Sequence, residues 1–120
     1  MSPPTPDAPL AADQLRASVF AALGDATRLS LVNRLADGQP RSIAQLSEGY
    51  PLSRQAITKH LGVLESAGIL HRVRSGRESL FEFDAGPMRD LSSYLEAVSR
   101  QWDAALGRLK PSSPRILEGN

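Results

Sequence analysis

Residues 52–68, LSRQAITKHLGVLESAG, read as one helix with both ends marked. Ser53 is the expected N-cap, because its hydroxyl can accept from a free backbone N–H of the first turn. Leu52 and Ile57 are spaced for a hydrophobic staple across that cap. Gly68 can take the left-handed conformation that stops a helix, and Ile69 then falls where it can rest on Leu64. Ile57, Leu61 and Leu64 form an apolar stripe at helical spacing. The other side carries Arg54, Gln55, Thr58, Lys59 and Gly62: hydrogen-bonding groups, two positive charges, no acid, and a glycine that permits close approach. Such a face suits the edge of a nucleic-acid groove. It equally describes a solvated helix face, so the flanking sequence has to decide.

Upstream, Ser42-Ile43-Ala44-Gln45 has the spacing of a capping box and opens a short helix ending near Glu48, with Ile43, Ala44 and Leu46 apolar. Gly49-Tyr50-Pro51 breaks the chain before Ser53. A short helix, a tight turn and a longer helix make a helix-turn-helix arrangement. Two more helices precede it. About Ala11 to Leu23 places Leu15, Val19, Ala22 and Leu23 on one face and ends at Gly24. Asp25 caps a second helix, Ala26 to Asp37, with Leu29, Val32, Leu35 and Ala36 inward and Gly38 as its stop.

Downstream, Ile69–Val73 and Ser79–Phe83 read as two strands around Ser75 and Gly76. Setting Val73 opposite Ser79 places Ile69, Val73, Phe81 and Phe83 on one face. That register implies a longer or bulged tip, Arg74 to Glu78, with Gly76 at positive φ. Arg74 and Arg77 then project from an exposed hairpin. After a helix-turn-helix, such arginines suit a wing that grips a phosphate or the minor groove.

Pro87 to Leu109 is the longest expected helix. Leu91, Leu95, Val98, Trp102, Ala105 and Leu109 recur at the 4-3 spacing of a coiled-coil seam, which Met88 and Leu106 extend. The seam is read as a pairing surface for a second copy, with Leu15 and Val19 of the first helix as companions. The alternative is a helix folded back on its own domain. The Pro-rich residues 1–10 and the Pro- and Ser-rich residues 111–120 are expected to be disordered tails, leaving residues 11–110 as the domain.

Composition narrows the function. At 120 residues the chain suffices for one domain. Its formal net charge is only +1, yet residues 53–77 carry Arg54, Lys59, Arg72, Arg74 and Arg77 against Glu65 alone. Such a local basic patch is the footprint of a phosphate-binding surface. The absence of cysteine excludes disulfides, thiol catalysis and thiolate metal sites. No apolar run is long enough to span a bilayer, and the N-terminus lacks a secretory pattern, so a cytoplasmic protein without a membrane partner is expected. No serine, threonine or lysine sits in a nucleophile elbow or a Gly-rich phosphate loop, which argues against an enzyme.

The fold class is therefore mostly α with a small β-hairpin, in the order α-α-α-α-β-β-α. The chain resembles the winged helix-turn-helix repressors of the ArsR family from about Leu15 to Lys110. Ala22-Leu23-Gly24-Asp25-Ala26-Thr27-Arg28 is similar to the family's signature at the first helix junction. Ser53, Ile57, His60, Leu61, Leu64 and Ala67-Gly68-Ile69-Leu70 match its recognition-helix pattern. The arginine-bearing wing followed by an aromatic strand is the third likeness. The resemblance implies a homodimer paired through its first and last helices on double-stranded DNA, and repression that a signal relieves. Ser53, Arg54, Gln55, Thr58, Lys59, Arg74 and Arg77 are the expected DNA contacts. Metal sensors of the family use cysteines, or histidine and acidic ligands on the last helix. Here that helix has Asp90, Glu96 and Asp103 without histidine, and His60 and His71 have no acid at ligand spacing. No metal and no cofactor is expected, and no residue names an inducing ligand. The rival reading is a winged-helix module that binds protein through the same surface.

Overall fold

The computed structural model describes residues 8–109; of the expected tails at residues 1–10 and 111–120, all but residues 8–10 lie outside the described residues. Among those described are helices α1 (Ala8–Leu23), α2 (Ala26–Leu35), α3 (Ile43–Ser47), α4 (Arg54–Ser66) and α5 (Ala85–Leu109), and strands β1 (Arg41–Ser42), β2 (Leu70–Ser75) and β3 (Glu78–Phe83). The chain divides after Met88 into two units.

In the first unit, local signals set the helix ends. Asp25 caps α2 by accepting the Arg28 backbone N–H at 3.0 Å. The Ser42 hydroxyl accepts the Gln45 N–H at 3.2 Å while the Gln45 side chain accepts the Ser42 N–H at 2.8 Å, the expected capping box. α1 begins at Ala8, three residues before the expected start. Leu31, Leu35, Leu46, Ile57, Leu61, Leu64 and Phe81 are fully withdrawn from water and form the core beneath α4.

Three expectations are corrected here. On α2 the inward face is Leu31, Val32 and Leu35, whereas Leu29 is 47% exposed and Ala36 is the exposed C-cap residue. The stripe runs 28-31-32-35, and its first member is an arginine whose side chain turns back to backbone carbonyls, which hides it from a hydrophobicity reading. The sheet has three strands in the order β1-β3-β2, not two. β1 is too short to carry a pattern of its own; it pairs Arg41 with Phe81 and Ser42 with Leu80. In the hairpin Val73 faces Leu80 instead of Ser79, and Ser75 faces Glu78. The loop is therefore Gly76-Arg77 alone, with Gly76 at φ 64°, as the first position of a type II′ turn requires. This register puts Leu70 opposite Phe83 and Arg72 opposite Phe81 on one face, and turns Val73 to the other. The hairpin twist that a two-residue primed turn matches outweighs the extra apolar residue that the bulged register would have gained.

Long-range bonds lock the helix-turn-helix. The Arg34 guanidinium donates to the carbonyls of Gln45, Leu46 and Glu48, each at 3.0 Å, and so satisfies the free end of α3. It also lies 5.5 Å from the Tyr50 ring centroid. The Tyr50 hydroxyl meets the Ser30 hydroxyl at 2.7 Å, tying the turn to α2. At β1, Arg41 grips the Asp37 carboxylate at 2.9 and 3.0 Å. Those bonds hold the Asp37 carboxyl down at about 2.

The second unit is the body of α5 from Arg89 onward. Leu91 is buried, whereas Leu95, Trp102 and Leu106 are 49%, 61% and 46% exposed. No helix of the described residues is long and apolar enough to cross a membrane.

Candidate nucleic-acid interface

α4 is held at both ends by backbone chemistry. The Ser53 hydroxyl accepts the Ala56 N–H at 3.1 Å. At the far end Ile69 N–H donates to Leu64 O at 3.0 Å and Gly68 N–H to Glu65 O at 2.9 Å, with Gly68 at φ 82°. This is a Schellman stop, and its apolar pair, Leu64 and Ile69, is fully buried. Leu52, expected to staple onto Ile57, keeps 39% of its surface in water, while Ile57 is fully buried. Ile57, Leu61 and Leu64 face the core as their spacing predicts.

The opposite face is exposed at Arg54, Gln55, Thr58 and Lys59. These residues, with Ser53 and Ala56, line a concavity of about 620 Å³. At Gly62 an added Cβ would meet nothing within 4 Å, so the helix surface there borders open space. The Thr58 hydroxyl donates to the Arg54 carbonyl at 2.7 Å. Its single proton is thus spent inside the helix, leaving Thr58 a methyl group and an acceptor oxygen to offer. The Ser53 hydroxyl is used as an acceptor and keeps its proton available to donate. No described residue forms an ion pair with Arg54 or Lys59.

The wing arginines separate into two kinds. Arg72 donates through Nε to both Glu65 carboxylate oxygens at 3.2 and 3.1 Å, and its guanidinium stacks 4.9 Å from the Phe81 ring centroid. Arg72 therefore pins the base of the hairpin to α4 and cancels Glu65, so the basic patch counted from sequence shrinks to Arg54, Lys59, Arg74 and Arg77. Arg74 lies near the end of β2 and Arg77 in the two-residue tip, both exposed and with no ion pair to a described residue.

The two histidines do have acid neighbours, which chain spacing conceals. His60 Nδ1 lies 3.7 Å from Asp25 Oδ2 and 3.3 Å from Arg28 Nη1. His71 Nε2 lies 3.1 Å from Glu82 Oε1, and its Nδ1 3.8 Å from Asp84 Oδ2. The register that pairs His71 with Glu82 across β2 and β3 creates the second cluster. Among the described residues no group of three or more His, Asp or Glu is arranged to hold a metal ion, and cysteine is absent. The donor set thus does not fit the metal sites that the family resemblance brings with it. Duplex affinity is expected to be the same with added zinc and with a chelator. A shift of tenfold or more in either fluorescence-anisotropy titration would overturn this.

Of the expected pairing residues, Leu15 is 71% exposed, Leu95 and Trp102 are exposed, and Val98 is half-buried. Val19 and Leu91 are already buried in the single chain, at 7% and 5% exposure, and have little area left to give a partner. For Leu109 the side chain lies outside what is described. Leu106, which extends the α5 seam, is exposed as well, and so is Leu10 on α1, which pairing had not singled out.

A short helix, a turn fixed by Arg34 and Tyr50, an exposed second helix and a basic hairpin define a winged helix-turn-helix protein. Residues 23–73 match the family described as "helix-turn-helix domain". YuzN, an uncharacterized HTH-type transcriptional regulator of Bacillus subtilis, is 36% identical over 80 residues, covering 62% of this chain and 87% of that protein. The ArsR-like transcriptional regulator from Rhodococcus sp. RHA1 superposes with a TM-score of 0.75 at 33% identity, covering 88% of this chain and 99% of that one. A homodimeric winged helix-turn-helix DNA-binding domain from Mycobacterium bovis shares the fold at TM-score 0.64 and 21% identity, covering 84% of this chain and 92% of that one. The chain belongs to the ArsR-like family of helix-turn-helix transcriptional regulators, which are not enzymes.

Proposed function

We propose that the protein is a sequence-specific DNA-binding repressor that acts in the cytoplasm as a homodimer on an inverted repeat. The observation that carries this is the outward face of α4, where Arg54, Gln55, Thr58 and Lys59 stand exposed with no acid among them. Gln55 and Arg54 have the side chains that pair with two atoms of adenine and guanine, and the Thr58 methyl suits the methyl of thymine. Lys59, Arg74 and Arg77 are assigned to phosphates or the minor groove, with Ser53 at the helix start as a further phosphate donor. The exposed apolar residues of α1 and of α5 are assigned to the second copy; the similar Mycobacterium bovis domain is a homodimer. Two α4 helices related by a two-fold axis then meet half-sites about one helical turn apart.

Affinity for random duplex as a function of salt tests the class. Each phosphate neutralised adds about −0.9 to the slope of log affinity against log salt, so three cations per chain predict a slope of roughly −5 for a dimer. A slope near zero would favour the rival reading, a winged helix that binds protein. Failure of the folded dimer to select any duplex from its own upstream region at low salt would refute sequence-specific repression.

A further inference from the structure

Of the charged clusters that neither the core nor the exposed DNA face uses, the one around His60 joins residues 32 positions apart. Arg28 donates from Nε to the Ala22 carbonyl at 2.6 Å and from Nη2 to the Ala21 carbonyl at 3.4 Å, closing the C-terminal end of α1. Its remaining arm, Nη1, lies 3.3 Å from His60 Nδ1 on α4. Arginine only donates, so this bond requires His60 neutral with Nδ1 as the acceptor. Asp25, the cap of α2, lies 3.7 Å from the same ring nitrogen.

We infer that Arg28 and His60 are positioning residues for DNA reading: they brace α4 against the end of α1, and protonation of His60 releases the brace. A protonated ring has no acceptor at Nδ1, faces the Arg28 donor with a donor of its own, and finds its acceptor in Asp25 instead. The ring exchanges one partner for the other, and α4 loses its tie to α1. Lys59 stands one residue away on the same helix, pointing with the exposed face. The other elements packed on α4 bring few charges to this point. α3 has none, the Arg72 of β2 is held on Glu65, Arg34 of α2 is spent on α3 carbonyls, and Asp13 and Arg16 of α1 bond each other. The inference rests on α4 being the base-reading helix.

The test takes a duplex selected from random sequence by the full chain at pH 8. Affinity for it and for random duplex is then measured between pH 8 and pH 5.5. Their ratio is the readout, because a change in the overall charge of the protein acts on every duplex alike and cancels. For one hydrogen bond the ratio is expected to fall roughly two- to tenfold on acidification. H60L should show the lowered ratio at every pH. H60N, whose carboxamide oxygen can stand where Nδ1 stood but does not titrate, should recover the ratio relative to H60L and show no pH slope. R28K, unable to span three acceptors, should resemble H60L, with thermal melts confirming that each variant is folded. A flat ratio in the unmodified protein, or a slope in H60N equal to it, would overturn the inference. Selection of no duplex at all would bring down the reading of α4 itself, and this inference with it.

Discussion

The V98E/W102E double variant is expected to sediment as a folded monomer and to bind an inverted-repeat operator about 10²- to 10⁴-fold more weakly than the unmodified protein. The physical basis is the exposed apolar row of α5. Trp102 keeps 61% of its surface in water, Leu95 49% and Leu106 46%. Each such side chain is worth roughly 1.5–3 kcal/mol when taken out of water, so a second copy covering the row recovers several such contributions. Two glutamates in that row place uncompensated charges in the contact, at a cost larger than the contact returns. The affinity loss follows from linkage of sites. In a dimer the second α4 meets its half-site from a high local concentration set by the first, and a monomer has no such advantage. Half-site affinity should survive, because α4 lies in the other unit of the chain. Analytical ultracentrifugation at micromolar concentration, with circular dichroism to confirm the helices, reads the outcome. An intact dimer would place the interface elsewhere.

The second large effect is expected at the reading face. Gln55→Ala should lose roughly 1–3 kcal/mol on the preferred operator and relax choice at one base pair per half-site. Arg77→Ala should instead weaken all duplexes alike and reduce the salt slope by about 1 per chain. The difference follows from position. Gln55 is exposed in the first turn of α4, where a planar amide can meet a base edge. Arg77 sits in the hairpin tip with no ion-pair partner among the described residues, on a two-residue loop that suits a phosphate contact. Thr58 adds a chemical check on the same helix. Its hydroxyl is bonded to Arg54 O, so exchanging a contacted thymine for deoxyuridine should weaken binding at one position through the lost methyl alone. Selection of operators by both variants decides it: if Arg77→Ala changed base preference and Gln55→Ala changed only the salt slope, the two roles would be exchanged.

Much of the scaffold is legible from short-range pattern. Ser42, Ser53, Asp25 and Gly68 act where they do because caps and stops bond atoms within about one turn of themselves, a distance that sequence displays directly. The Ile57-Leu61-Leu64 stripe and the exposure of Arg54, Gln55, Thr58 and Lys59 are two sides of one helical period, so one implies the other. Those signals are sufficient for the class and for the face of α4.

What only the tertiary structure decided lies where partners are distant in the chain or where several arrangements fit the same letters. Arg28 spoils the apolar pattern of α2 because its work is done on carbonyls of α1, and this turned Leu29 from an expected core residue into an exposed one. Arg72 reads as one more free cation until the hairpin register brings it over Phe81 and onto Glu65. That register itself was open, because a slip of one residue exchanges whole faces of a strand and only the turn and the third strand select among the choices. His60 belongs with Asp25 and Arg28, more than thirty residues upstream, for the same reason. Hydrophobic period and capping are local and therefore written in order along the chain. Ion pairs and strand register depend on which surfaces the folded core brings together, and no spacing within a single element records that.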